Sequence, residues 1–162
     1  MQFTFDQDVD TVYKFLIDPD VYIERCEALG EKDVKCTATT SGAQTTMKVS
    51  RTVSRELPKV LAKLVPSNDN TIVSTVVWND GGEGKTKTGY YDATIEGAPF
   101  PITIRADFSL APKGGKTVYD IKVDVTAKKA IVGKVAEKFA SKEVEASLPQ
   151  EHEWNVARLN NA

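Results

Sequence analysis

The sequence predicts an α+β fold: an antiparallel sheet of about seven strands, two short helices after the first strand, and a long C-terminal helix laid over the sheet. Three observations predict it. From Glu31 to Thr126 nearly every segment alternates apolar with polar residues, the period of a strand with one buried face. Short turns rich in Gly, Pro, Asn and Asp separate those segments, so neighbouring strands run antiparallel. From Ala130 the period becomes helical. Val132, Val135, Ala136, Phe139 and Ala140 share one face, opposite Lys134, Glu137, Lys138, Ser141, Lys142 and Glu145. A sheet with one apolar face must cover it, and this helix is the natural cover.

The elements follow in order. Phe3 and Phe5 alternate with polar neighbours in a first strand, Gln2 to Asp6. Asp8 caps a helix carrying Val9, Val12, Tyr13 and Leu16 on one side. Asp18-Pro19 ends it and starts a second helix, which runs to Leu29 and stops at Gly30. Val34, Cys36 and Ala38 mark the next strand. Ser41-Gly42 turns the chain into a strand with Met47, Val49 and Val53 in phase. Leu57, Val60, Leu61 and Leu64 have helical spacing between Pro58 and Pro66, so Leu57–Val65 reads as a short amphipathic helix crossing one end of the sheet as a gate. Ile72 to Trp78 and Lys85 to Glu96 follow as strands, the latter with Tyr91, Ala93 and Ile95 in phase. Phe100 to Leu110 is the cleanest alternation, and it should pack on Phe139. Pro112 to Gly115 is a turn, and Tyr119, Ile121, Val123 and Val125 share the last strand's inward face.

With 162 residues the chain reads as one domain, 1–162, able to bury roughly two-thirds of its unfolded surface. Lys plus Arg number 21 against 23 Asp plus Glu, without the basic excess of a nucleic-acid binder. No charged leader with an apolar run, and no long apolar stretch, is present. Secretion and a transmembrane segment are therefore not expected, and the cytoplasm is. Cys26 and Cys36 lack CxxC spacing and read as free thiols.

The order of strand, two short helices, six strands and long C-terminal helix resembles the helix-grip fold of the START and birch-pollen-allergen superfamily (SRPBCC). Val12-Tyr13-Lys14-Phe15-Leu16-Ile17-Asp18-Pro19 and Ile131-Val132-Gly133-Lys134-Val135-Ala136-Glu137 carry the resemblance. Arg51-Thr52-Val53-Ser54-Arg55-Glu56-Leu57-Pro58 is similar to a bacterial branch of uncharacterised function. The resemblance implies a strongly curved sheet wrapped around the last helix, with a cavity between them that often holds an apolar or amphipathic small molecule. It does not imply an activity, because the fold hosts lipid carriers, cyclases, hydrolase-like enzymes and chaperone regulators.

No nucleotide-binding or nucleophile-elbow motif occurs, and one histidine with two separated cysteines makes a metal site unexpected. No cofactor and no catalytic residue is assigned. His152 points away from the apolar stripe and reads as solvated, while Trp154 and Ala157 resume that stripe. Two charges break the apolar pattern. Arg51 shares the phase of Met47, Val49 and Val53, and Glu143 lies about 20° from Val132 on the helical wheel. Both should face the interior, and a direct pair between them is possible but not required. Lys128, Lys129, Lys134, Lys138 and Lys142 form a basic edge, read as a solvated face with attraction to an anionic partner as the other reading. Gly81-Gly82-Glu83-Gly84 reads as a flexible hairpin tip.

These positions favour binding of an apolar or amphipathic ligand, lipid or polyketide-like. The expected lining is Met47, Arg51, Trp78, Tyr91, Phe100, Ile102, Ile104, Phe108, Tyr119, Ile121, Val132, Val135, Ala136, Phe139 and Glu143. Burying ~250 Å² of ligand would yield roughly 6 kcal/mol before association costs. An enzyme of the cyclase, dehydratase or hydrolase-like kind is one alternative. It needs an inward acid or base, and Asp92, Asp107, Asp120 and Asp124 fall on outward phases. A protein-interaction module, such as a chaperone regulator, is the other.

Overall fold

The computed structural model describes all 162 residues. Seven strands form one antiparallel sheet: β1 (Gln2–Phe5), β2 (Lys32–Ser41), β3 (Gln44–Ser54), β4 (Asp69–Asn79), β5 (Lys87–Glu96), β6 (Ile102–Lys113) and β7 (Lys116–Ala127). Their spatial order is β1-β7-β6-β5-β4-β3-β2. β2 to β7 are thus a meander, and β1 returns to pair with β7 at the far edge. Helices α1 (Val9–Leu16) and α2 (Pro19–Ala28) carry the chain from one edge to the other. Asp8 accepts hydrogen bonds from the Asp10 and Thr11 amides, and Asp18 from those of Asp20 and Val21, as their capping positions require. The β6–β7 turn is shorter than expected. Pro112 and Lys113 stay in the ladder, and Gly114-Gly115 turns alone with positive φ at both residues.

The segment between β3 and β4 differs from its helical spacing. Only one turn, α3 (Lys59–Ala62), forms, and Pro58 gives it no side-chain cap. Leu61 is buried, but Val60 and Leu64 remain 43 % and 45 % exposed. With prolines at 58 and 66 the stretch is too short to repay helix nucleation.

The C-terminal helix α4 (Ala130–Asn160) is 31 residues, about 46 Å, unbroken through Pro149. Its start is tied back to the sheet, where the Ala127 amide donates to the Glu137 carboxylate at 2.8 Å. Its inward positions do not follow a straight stripe. Val132, Ala136, Ala140, Val144, Leu148, His152 and Val156, each four residues on, are all at least half-buried. Four residues overshoot one turn by about 40°, so the buried ridge winds around the helix. That winding corrects two expectations. His152 turns inward, and Ala157 is exposed.

The core is divided. The largest cluster joins α1 and α2 to the sheet through Phe5, Val12, Tyr13, Met47, Trp78, Phe108 and Leu110. A second comprises Val53, Ile72, Ala93 and Ile104, and a third Leu61, Phe100, Ala127 and Ala136. Only Gly133, Ala136 and Asn155 of α4 are fully buried. Phe139, expected to be buried against β6, packs at the rim of the third cluster and is partly rather than fully buried. The helix covers the sheet without filling the space beneath it.

Candidate ligand cavity

The space between the three clusters is a cavity of about 240 Å³. One water needs roughly 15 Å³ on the same measure, so this is room for an organic molecule. All three clusters contribute wall: Val76, Trp78, Phe108 and Ile121 from the first, Val53, Ile72 and Ile104 from the second, Leu61, Phe100 and Ala136 from the third. β3 to β7 supply the concave wall and α4 the opposite one, through Ala136, Phe139, Ala140, Val144 and Leu148. Leu57, Leu61, Leu64 and Val65 border one end with Ala98 and Pro99 of the β5–β6 turn. Val123, inward by phase on β7, lines the cavity yet is 37 % exposed, so the concave face is not sealed.

A polar group interrupts this apolar wall. Arg51 projects from β3 on the phase of Val49 and Val53. Its guanidinium donates to the Tyr22 hydroxyl at 2.9 Å and the Tyr91 hydroxyl at 3.5 Å. Its Nε lies 3.1 Å from Glu31 Oε2 without the alignment of a hydrogen bond, so charge holds that contact. Burial alone would lower the Arg51 pKa, but Tyr91, Tyr22 and Glu31 outweigh it and hold it well above its ordinary value. Arg25, from α2, is also buried. It donates to the Asn155 side chain at 3.3 Å, stands 3.8 Å from Glu151, and covers the Tyr22 ring at 4.6 Å. Burial pushes the Tyr22 and Tyr119 hydroxyls up from their ordinary pKa, so both stay neutral donors and acceptors at pH 7. Arg25, Glu31, Glu151, Tyr22, Tyr91 and Tyr119 all border the cavity with Arg51.

Glu143 also faces the cavity, but its partner is Arg55, at 2.7 Å, in a half-exposed pair. Arg51 and Glu143 therefore do not meet; each has a nearer partner in the chain. Of the fifteen residues read from sequence as lining, twelve border the cavity. Met47 does not, being fully buried in the largest cluster. Val132 and Val135 do not either, and pack instead around Leu61 and Ala127. Sequence reasoning missed Tyr22, Arg25, Glu31 and Glu151. Arg25 lies three residues after Tyr22 and one before Cys26, so the helical period itself placed it on the inward face. Burial pushes the Cys26 thiol up to about 12 and the Cys36 thiol to about 11, so neither is a reactive thiolate at neutral pH.

His152 is not solvated. Its ring stacks on Phe3 with centroids 4.6 Å apart and meets Phe5 edge-on at 4.7 Å, and its Nδ1 has no partner. Burial lowers its pKa. A histidine depressed in the folded state adds stability above its unfolded pKa of about 6.5, lost as pH falls through the folded value. The melting temperature should therefore fall between pH 7.5 and 5.5 by more than it does in His152→Phe. Equal pH dependence in the two proteins would show that folding leaves the affinity of the imidazole for a proton unchanged.

A family model described as "Protein of unknown function (DUF2505)" matches residues 1–158. No curated protein matches. Among solved structures, the crystal structure of TTHA0849 from Thermus thermophilus is similar with a TM-score of 0.57 and 15% identity, covering 98% of this chain and 95% of that one. The crystal structure of a conserved protein from Geobacillus kaustophilus is similar with a TM-score of 0.51 and 12% identity, over 97% and 93%. At these identities the likeness shows the fold alone.

Proposed function

The chain belongs to the DUF2505 family, and we propose that it binds an apolar or amphipathic small molecule in the cavity between sheet and C-terminal helix. The observation that carries this reading is the cavity itself, about 240 Å³ of mostly apolar space between sheet and helix, where a packed interior leaves few voids larger than a water molecule. The Arg51–Tyr22–Tyr91 group gives that space one fixed polar point, the feature that orients a ligand in an otherwise apolar pocket. The architecture supports the likeness to the START and birch-pollen-allergen superfamily, whose members often hold a ligand in this place. Binding is favoured over catalysis because each carboxylate on the cavity wall already has an arginine within 4 Å: Glu31 with Arg51, Glu143 with Arg55, Glu151 with Arg25. Two free thiols suit a reducing, cytoplasmic setting.

Ala140→Trp tests the reading. Ala140 borders the cavity from α4, so an indole there should occupy the ligand's space and leave the strands in place. The variant should keep its melting temperature within a few degrees and lose at least tenfold in affinity for the apolar dye anilinonaphthalene sulfonate. Native mass spectrometry of gently purified protein should show a co-purifying small molecule on the wild type and none on the variant. Unchanged dye affinity, with no adduct on either protein, would make the cavity a packing feature.

A further inference from the structure

The third core cluster has an unusual outer surface. It joins α3, the β5–β6 turn and the first turns of α4 through Leu61, Phe100, Ala127 and Ala136. The chain neighbours that point outward from it are aliphatic: Val60 and Leu64, close to half-exposed, and Ile131, 85 % exposed. Lysines surround them. Residues 57–66, 97–101 and 127–138 contain Lys59, Lys63, Lys128, Lys129, Lys134 and Lys138 against a single carboxylate, Glu137, in a chain whose net charge is −2. All six lysines are exposed, none forms an ion pair, and Glu137 is engaged by the Ala127 amide. Lys128, Lys129 and Lys134 also crowd the positive end of α4, which has no acidic residue in its first turn and no side-chain cap. Cations there oppose the helix dipole. The arrangement is unfavourable for the isolated fold and favourable for meeting an anion.

We propose that α3 and the first turns of α4 form a docking face for an anionic lipid bilayer. Ile131, Leu64 and Val60 enter the boundary between headgroups and acyl chains while the lysines remain at the phosphates. Each lysine held near an anionic leaflet strengthens binding roughly fivefold, and the attraction falls away with salt. A protein partner fits the surface less well. Three aliphatic side chains spaced among lysines fall far short of the ~800 Å² that a stable protein interface takes from each side. Leu64 also borders the cavity, so the docked bilayer would face that end of it. The docking itself does not depend on the cavity holding a ligand.

Flotation with vesicles tests it. The full chain should bind vesicles of phosphatidylcholine containing about a third phosphatidylserine at low salt, and lose at least tenfold in affinity at 0.5 M NaCl, where screening shortens the Debye length to a few ångströms. Pure phosphatidylcholine vesicles should bind it weakly. Ile131→Asp and the pair Lys128→Glu with Lys129→Glu should each lose tenfold or more, with melting temperatures no lower than that of the wild type, because these side chains are exposed and carboxylates suit the positive end of α4. Val73→Ser, at an exposed site on another strand face, should bind as wild type does. No binding to the anionic vesicles, or undiminished binding by Ile131→Asp, overturns the proposal. So does a dimer in sedimentation velocity that Ile131→Asp abolishes, which would give the face to a second copy of the chain.

Discussion

Gly89→Ala is expected to cost about 3 kcal/mol or more, the upper range for overpacking a core, and to lower the melting temperature by roughly 10 °C. Gly89 sits on β5 between Trp78 of β4 and Phe108 of β6, its register partners on either side. Side chains two strands apart ordinarily stand about 10 Å from each other. Here the missing side chain between them lets the Trp78 and Phe108 rings close to 4.3 Å between centroids. Tyr13 and Tyr119 then pack on this pair from α1 and β7, at 5.9 and 6.4 Å from Trp78. A methyl group at position 89 would overlap the Phe108 ring and the carbonyl oxygen of Val77, and the latter belongs to the backbone and cannot swing away. The aromatic group would have to open and the β4–β5 ladder shift. Thermal melts of the variant, read by near-ultraviolet circular dichroism for the aromatic signal, measure both. A loss under 1 kcal/mol with an unchanged aromatic signal would mean that the strands adjust freely at this point.

That glycine stands in plain sight in the sequence, and it marks where sequence reading succeeds and where it stops. Alternation placed Trp78, Tyr91 and Phe108 on one face of the sheet, because strand geometry fixes the side of each residue. Capping chemistry placed α1 and α2, because Asp8 and Asp18 have few other reasons to stand before those runs. Neither signal measures the distance across the interior. That the Arg51 and Glu143 positions both face inward was legible. That they stand far enough apart for Glu31 to take one and Arg55 the other was not, since that depends on sheet curvature and on the angle of α4. The same limit applies to α4 itself. A helical wheel assumes a straight stripe, and a ridge repeating every four residues winds by about 240° between Val132 and Val156. The wheel is therefore right for Ala136 and Phe139, close to its origin, and wrong for His152 and Ala157, far from it. The hairpin tip 81–84 looked free because its glycines suggest freedom. Its tether is remote in sequence: the Gly84 amide donates to Asp10 at 2.7 Å.

Lys87→Met is expected to cost about 3 kcal/mol at pH 7, the lower end for removing one partner of a buried ion pair. Lys87 has the inward phase of Gly89 and Tyr91, so alternation alone puts a charge inside. The structure completes it. The residue is fully shielded from water, with its Nζ 2.8 Å from Asp10 Oδ1 and 2.6 Å from Asp80 Oδ1, a further bond to the Gly82 carbonyl, and the Tyr13 ring 5.4 Å away. It lies just beneath the surface, since both carboxylates are partly exposed. One ammonium thereby joins the first turn of α1, the end of β4 and the β4–β5 loop. Methionine keeps most of the stem's apolar volume and removes the charge, leaving two carboxylates facing each other across a site without a cation. The pH dependence gives the test its sign. Hydrogen bonds from Lys87 lower the pKa of Asp10 and of Asp80. Their contribution is present above the ordinary aspartate pKa of about 3.9 and is lost as pH falls through the lower folded values. Burial alone would lower the Lys87 pKa, but Asp10 and Asp80 raise it overall. Its contribution is complete below the ordinary lysine value of about 10.4 and is lost as pH rises through the higher folded one. The stability gap between wild type and Lys87→Met, measured by urea unfolding, should therefore be widest from about pH 5 to 9 and narrow on both sides. A gap that stays constant from pH 3 to 11 would mean that the variant suffers only from altered packing, and that the ion pairs contribute nothing.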